Sequence, residues 1–196
     1  MTTSPHRVTE FATPADEFLA HACLTYGGDS PARRDHARAL LAAHPDIAGA
    51  SLHTAAALGS ADVVADLLSR GQRADEPGGP FGWEPLLHLA FSRVGDGDPV
   101  ECARLLVGAG ADPNAGYLWE GLTPPFTALT GAFGGGEDAA NCPPHRAATE
   151  LAELLLRAGA DPNDGQALYN RMFTADDSHL ELLFAHGLGR PCATSP

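Results

Sequence analysis

Leu105-Leu106-Val107-Gly108-Ala109-Gly110-Ala111-Asp112-Pro113-Asn114 and Leu154-Leu155-Leu156-Arg157-Ala158-Gly159-Ala160-Asp161-Pro162-Asn163 are near copies of one stretch, and their reading decides the fold. Each is the end of an amphipathic helix followed by a glycine and a turn. Gly110 and Gly159 suit a left-handed residue just past the helix, where a Cβ would clash. Asp-Pro-Asn then turns the chain and forbids helix continuation. Fainter copies end at Leu67-Leu68-Ser69-Arg70-Gly71 and at Leu182-Leu183-Phe184-Ala185-His186-Gly187.

Upstream of each ending lies a second short helical pattern: Leu52-His53-Thr54-Ala55-Ala56, Leu87-His88-Leu89-Ala90-Phe91, Leu129-Thr130-Gly131-Ala132-Phe133 and Leu168-Tyr169-Asn170-Arg171-Met172. The unit is therefore helix, turn, helix and a turn-rich excursion, repeated along the chain. Spacing fixes the register. His53 to Gly71 and Tyr169 to Gly187 are each 18 positions, whereas His88 to Gly110 is 22 and Thr130 to Gly159 is 29. The excesses fall within units, at 94–99 and 134–145, where Gly and Pro predict solvated insertion loops.

These residues resemble the ankyrin repeat, whose units carry a T-P-L-H-x-A-A first helix and a V-x-L-L-L-x-x-G-A-D-x-N ending. Ser51 to Gly59, followed by Asp62-Val63-Val64 and Leu67-Leu68, matches most of one unit. The resemblance implies an all-α solenoid of stacked helix-turn-helix units with projecting hairpin loops. About four units cover 48–188. A degenerate, capping helix pair precedes them over 11–47, with Asp16 capping its first helix (Asp16 to Tyr26) and Ser30-Pro31 opening its second (Ala32 to His44). That makes five units, two of them atypical; 1–10 and 189–196 read as loose tails. The seam between layers is expected to bury Leu67, Leu68, Leu105, Leu106, Leu154, Leu155, Leu182 and Leu183. The resemblance makes His53 and His88 architectural, tying adjacent units by hydrogen bonds, with Thr130 and Tyr169 in their place further on.

Composition excludes several classes. The 196 residues are 44% hydrophobic and 19% charged, as in a soluble globular chain. Apolar runs are too short to span a bilayer, and Met1 to Glu10 has no apolar leader, so a cytoplasmic protein is expected. A net charge of −13, with every basic residue an Arg, repels phosphate backbones and argues against nucleic acid. Cys23, Cys102, Cys142 and Cys192 are scattered and suggest neither disulfides nor a zinc ribbon.

No motif carries chemistry. Cys142 and His145, with Glu137 or Asp138, offer an incomplete zinc set on the second insertion, which reads instead as a loop. Gly134-Gly135-Gly136 lacks the Lys and Ser/Thr of a phosphate cradle and reads as a flexible start to that insertion. Asp176-Asp177 caps the last helix. No enzyme activity, metal or cofactor is expected.

The aromatics are more informative. Phe81 and Trp83 lie in the excursion after Gly71, and Tyr117 and Trp119 in the equivalent one after Gly110. In ankyrin-type arrays such excursions project and, with the first helices, line a concave groove. Two readings stand: the rings are anchors for a protein partner, or they fold back to cover the tips. On the first, Glu84, Glu120, Ser92 and Arg93 edge the groove, and the acidic charge favours a partner with a basic or apolar patch. The other class of function is a small-molecule binder or atypical enzyme that uses 134–145 as a lid.

Overall fold

The computed structural model describes residues 4–190. Ten α-helices follow one another among the described residues: α1 (Pro14–Ala22), α2 (Pro31–Ala43), α3 (Leu52–Leu58), α4 (Ala61–Ser69), α5 (Pro85–Phe91), α6 (Pro99–Gly108), α7 (Ala128–Phe133), α8 (Ala148–Arg157), α9 (Gly165–Arg171) and α10 (Ser178–Ala185). Two short antiparallel strands, β1 (Gly116–Tyr117) and β2 (Phe126–Thr127), make one hairpin, with Tyr117 opposite Phe126. No helix among the described residues is long and apolar enough to cross a membrane.

Local chemistry sets the helix ends. Ser51 and Thr54 exchange side-chain and backbone bonds to open α3, while Asp98 accepts from the Glu101 amide and Asp164 from the amides of Gln166 and Ala167. α1 opens at Thr13-Pro14, two residues earlier than expected: Thr13 accepts from the Asp16 amide, which places Asp16 inside the first turn. It stops at Ala22, because Cys23 turns extended.

The repeated ending behaves as its glycines require. Gly71, Gly110, Gly159 and Gly187 hold φ of 91°, 99°, 105° and 104°. After each, the next amide returns to the helix: Gln72 to Leu67, Ala111 to Leu106, Ala160 to Leu155 and Leu188 to Leu183. The asparagines of Asp-Pro-Asn then reach forward. Asn114 bridges the Gly159 carbonyl and the Asp161 amide, and Asn163 bridges the Arg190 carbonyl and the Gly189 amide. One side chain thus ties each turn to the following one.

α3, α5, α7 and α9 pack side by side in chain order, and α4, α6 and α8 form a second row behind them. Between the rows lie Val64, Leu67, Cys102, Leu106, Leu151, Leu155 and Leu183, all buried. Only one leucine of each expected pair is fully enclosed. Leu68, Leu105, Leu154 and Leu182 stay half-buried, because neighbouring helical positions point about 100° apart and cannot share a narrow seam.

The N-terminal helix pair packs on α3 through α1. α2 packs chiefly on α1 and on the turn at Pro45–Gly49. The chain leaving α1 instead runs across later units. The Leu24 amide donates to the Phe91 carbonyl, the Arg93 amide to the Ala22 carbonyl, and Cys23 pairs with Ser92 as an antiparallel bridge. Leu19 reaches Gly79, Tyr26 meets Phe126 and Asp29 meets Cys142. α1 itself packs on α3, so the pair and the segment leaving it act together as a brace, with 23–29 running over the later units. Residues 4–10 are also no loose tail where described: Ser4 and Pro5 are buried, and Pro5–Arg7 forms a 3-10 turn. Met1 to Thr3 and 191–196, with Cys192, lie outside the described residues.

Candidate functional site

The expected tip aromatics fold inward. Phe81, Trp83 and Tyr117 are 5%, 4% and 9% exposed, which withdraws their faces from any partner. They form a row with rings from elsewhere: Phe81 to Trp83 at 4.6 Å, Trp83 to Tyr117 at 4.5 Å, Tyr117 to Phe126 at 5.4 Å and Phe126 to Tyr26 at 4.8 Å. Offset ring pairs of this kind add about 0.5–1.5 kcal/mol each beyond area burial. Two excursions and the brace are thereby fused, which is why exposed tips do not persist.

The other expected groove residues are also engaged within the chain. Ser92 is buried against Cys23. Glu120 accepts from Arg7 and pairs with His6, while its amide donates to Ser4 Oγ at 2.7 Å. Glu84 has a buried Oε2 without a partner, and burial pushes its carboxyl up. Arg93 is a clamp: its guanidinium donates to the carbonyls of Pro143, Ala90, Ser92 and Gly131 at 2.7–3.0 Å. Burial lowers its pKa to about 10, so it stays charged at neutral pH. Phe81, Trp83, Glu84 and Tyr117 border one depression of about 440 Å³ beside Pro5 and Pro77.

His53 and His88 bond to one excursion, His53 Nε2 to the Glu76 carbonyl at 2.9 Å and His88 Nε2 to the Gly78 carbonyl at 3.2 Å. Their rings meet edge-on at 5.4 Å. Successive first helices are thus pinned to the loop between them.

The second insertion is neither solvated nor flexible where it begins. Gly134, Gly135 and Gly136 are buried, with φ of 62°, 85° and 90°. Their amides close onto the fold: Gly135 donates to the Cys142 carbonyl and Gly136 to the Asn170 carbonyl, each at 2.8 Å. A Cβ on Gly135 would sit 2.6 Å from the Asn170 oxygen. Gly135→Ala is expected to destabilise the fold by about 2 kcal/mol or more through both strain and overlap; urea denaturation checks it, and a neutral substitution would contradict this packing. Cys142 and His145 are buried and face different partners, Asp29 Oδ2 and the Ala147 amide, while Glu137 takes Tyr169 and Asp138 takes Asn141. These four do not gather into a ligand set. Burial, then Asp29, pushes the Cys142 thiol up to about 12, so it is a protonated thiol and a poor nucleophile.

The insertion nonetheless walls a cleft of about 440 Å³. Gly136 to Asp138 form one side, Tyr26 to Asp29 another, Leu122 to Pro124 and Phe126 a third, and Gln166, Tyr169 and Asn170 of α9 the fourth. Asp29 is fixed there by Arg33 at 2.7 Å and by both of its oxygens accepting from the Thr25 amide. Tyr26 holds a left-handed φ of 54°, a strained position for a large side chain, and its ring enters the cleft wall. Three buried polar atoms around the cleft have no well-formed hydrogen bond: Trp119 Nε1, and Tyr26 Oη and Asn170 Nδ2, whose side chains are near neighbours but are not ideally placed to pair. Asn170 is 1% exposed, and its Oδ1 is already used by Gln166. Unmet donors at a concave aromatic surface suit an incoming acceptor.

Of the eight residues expected at a site, Trp119 alone borders this cleft. It is half-buried and stacked on His6 at 5.3 Å. Sequence reasoning missed Tyr26, Asn170 and Gln166; the signal it held was Tyr26-Gly27-Gly28-Asp29, a loop too rich in function-capable residues for a plain helix break. No protein-family model matches the chain, and no curated protein is similar enough to it to count as a relative.

Proposed function

We propose that the chain is a non-catalytic binding module on an ankyrin-type repeat scaffold, and that it captures a protein partner at the cleft between the brace, the hairpin and α9. The carrying observation is a concave aromatic surface continued by exposed apolar side chains. Leu122 is 62% exposed at its edge, and Tyr169 and Phe173, one turn apart at 5.3 Å, are 44% and 43% exposed. Such a patch, rimmed by Glu137 and Asp138, suits a partner segment with apolar and basic side chains and free backbone carbonyls. The repeated glycine endings and the two helix rows support the scaffold reading. The docking surface differs from the tips and first-helix face expected from the sequence, because the brace and the folded-in rings occupy those.

A double substitution, Leu122→Asp with Tyr169→Ala, is expected to weaken partner capture at least about tenfold, since central aromatic and apolar anchors are each worth upwards of about 1 kcal/mol. Both side chains are exposed, so thermal stability should hold. Unchanged recovery of co-purifying protein by the double variant would refute the surface.

A small-molecule reading is favoured by one observation. The cleft volume of about 440 Å³ falls within the range of small-ligand pockets, and 134–145 supplies a wall of it. Thermal stabilisation by a metabolite, abolished in Asn170→Ala, would select that reading over a protein partner.

A further inference from the structure

α1 and α2 bring together three potential metal ligands, two from one helix and one from the other. Glu17 and His21 stand one turn apart on α1, and His36 faces them from α2. One ligand atom from each lies within 4.8 Å of the others. His36 Nε2 is 2.8 Å from Glu17 Oε1, and the rings of His21 and His36 meet edge-on with centroids 4.5 Å apart. His21 Nδ1 is buried without a hydrogen-bond partner, and Phe11 covers that ring from another side at 5.9 Å.

We propose that Glu17, His21 and His36 form a binding site for a divalent transition-metal ion of the zinc class. Two imidazoles and one carboxylate are a known donor set for zinc, and three protein ligands leave a fourth position for water or another donor. Tetrahedral coordination with bonds of ~2.1 Å separates ligand atoms by ~3.4 Å. From the present spacing that needs only side-chain rotation, since Glu17 and His36 must part by a few tenths of an ångström and His21 must approach. Hard cations are disfavoured, because calcium and magnesium call for oxygen donors.

An ion here cross-links α1 to α2, the two helices of the brace. α1 runs directly into Tyr26 to Asp29, one wall of the cleft, and α2 carries Arg33, which holds Asp29. The metal therefore fixes the brace and not the repeats. This inference stands apart from the binding role proposed above, and its test reads metal alone.

The test is calorimetric titration of the full chain with ZnCl₂, paired with the visible absorption of bound Co²⁺ and with thermal unfolding. The wild type should take up one ion per chain, show the intense absorption of a tetrahedral cobalt site and unfold at a higher temperature with metal. His36→Gln, an exposed change, and Glu17→Gln should each weaken affinity at least about tenfold and erase the thermal gain. His21→Ala should do the same, with its circular dichroism spectrum checked; if it fails to fold, His36→Gln decides. Equal affinity in wild type and variants would place the ion elsewhere and overturn the proposal. So would the lack of saturable binding by the wild type.

Discussion

Acidification from pH 7 to pH 5 should remove about 4 kcal/mol of stability, with His88 and His145 as the main cause. Both are buried, and burial brings each pKa down from 6.5 to about 3. In the unfolded chain they titrate at the ordinary value, so as pH falls the unfolded state takes up protons first. The stability they permit is complete above 6.5 and is lost progressively toward 3. One pKa unit is worth about 1.4 kcal/mol, which gives about 2 kcal/mol per histidine at pH 5. A domain of this size holds about 5–15 kcal/mol in all, so acid unfolding should begin well above the carboxylate range. Asp164 and Glu84, both raised by burial, act in the opposite sense. Urea midpoints at pH 7, 6 and 5 test this. A flat profile over that interval would mean that the two imidazoles are hydrated and that the packing around them is wrong.

Arg93→Met should destabilise the protein by about 3 kcal/mol or more, among the largest effects of any single side chain. The change strips four backbone carbonyls of their donor, and each buried acceptor left unmet costs about 1–3 kcal/mol. The bonds reach α5, α7 and the second insertion, so loss of the guanidinium loosens three segments together. Arg93→Lys should recover less than half of the deficit, because one ammonium cannot span four carbonyls in a plane. Thermal unfolding reads both, with a fall of at least about 6 °C expected for Arg93→Met. A decrease under about 2 °C would show that water replaces the clamp. The sequence places this residue on a first helix, edging a groove; the structure puts it just past α5 as an internal tie. An arginine beside a glycine-rich insertion reads equally as a surface contact or a buried tie, and only the distance to Pro143, 50 positions on, separates the two.

The cleft shows a similar divide. Trp119 was legible because it lies in the excursion that corresponds, one unit on, to the one holding Trp83. Yet Trp83 lies in the aromatic row while Trp119 borders the cleft and stacks on His6, so corresponding excursions did not mean equal surroundings. Tyr26 and Asn170 belong to elements 144 positions apart and carry no shared motif. His21 and His36 escaped for the same reason: 15 positions and a turn separate them, and neither spacing nor composition marks a pair.

Sequence by itself determined the helix pairs and the glycine endings, because caps, positive φ and helical period act within a few residues; it placed both leucines of each pair in the seam, and the packing decided that Leu67, Leu106, Leu155 and Leu183 are the buried ones. It also determined that the rings at Phe81, Trp83 and Tyr117 would sit at the excursions. Tertiary structure alone decided where those rings point, that the chain leaving α1 crosses the later units, and which polar atoms lack a close partner around the cleft. Those outcomes turn on competition for buried apolar area between segments remote in the chain, and no local rule ranks such partners.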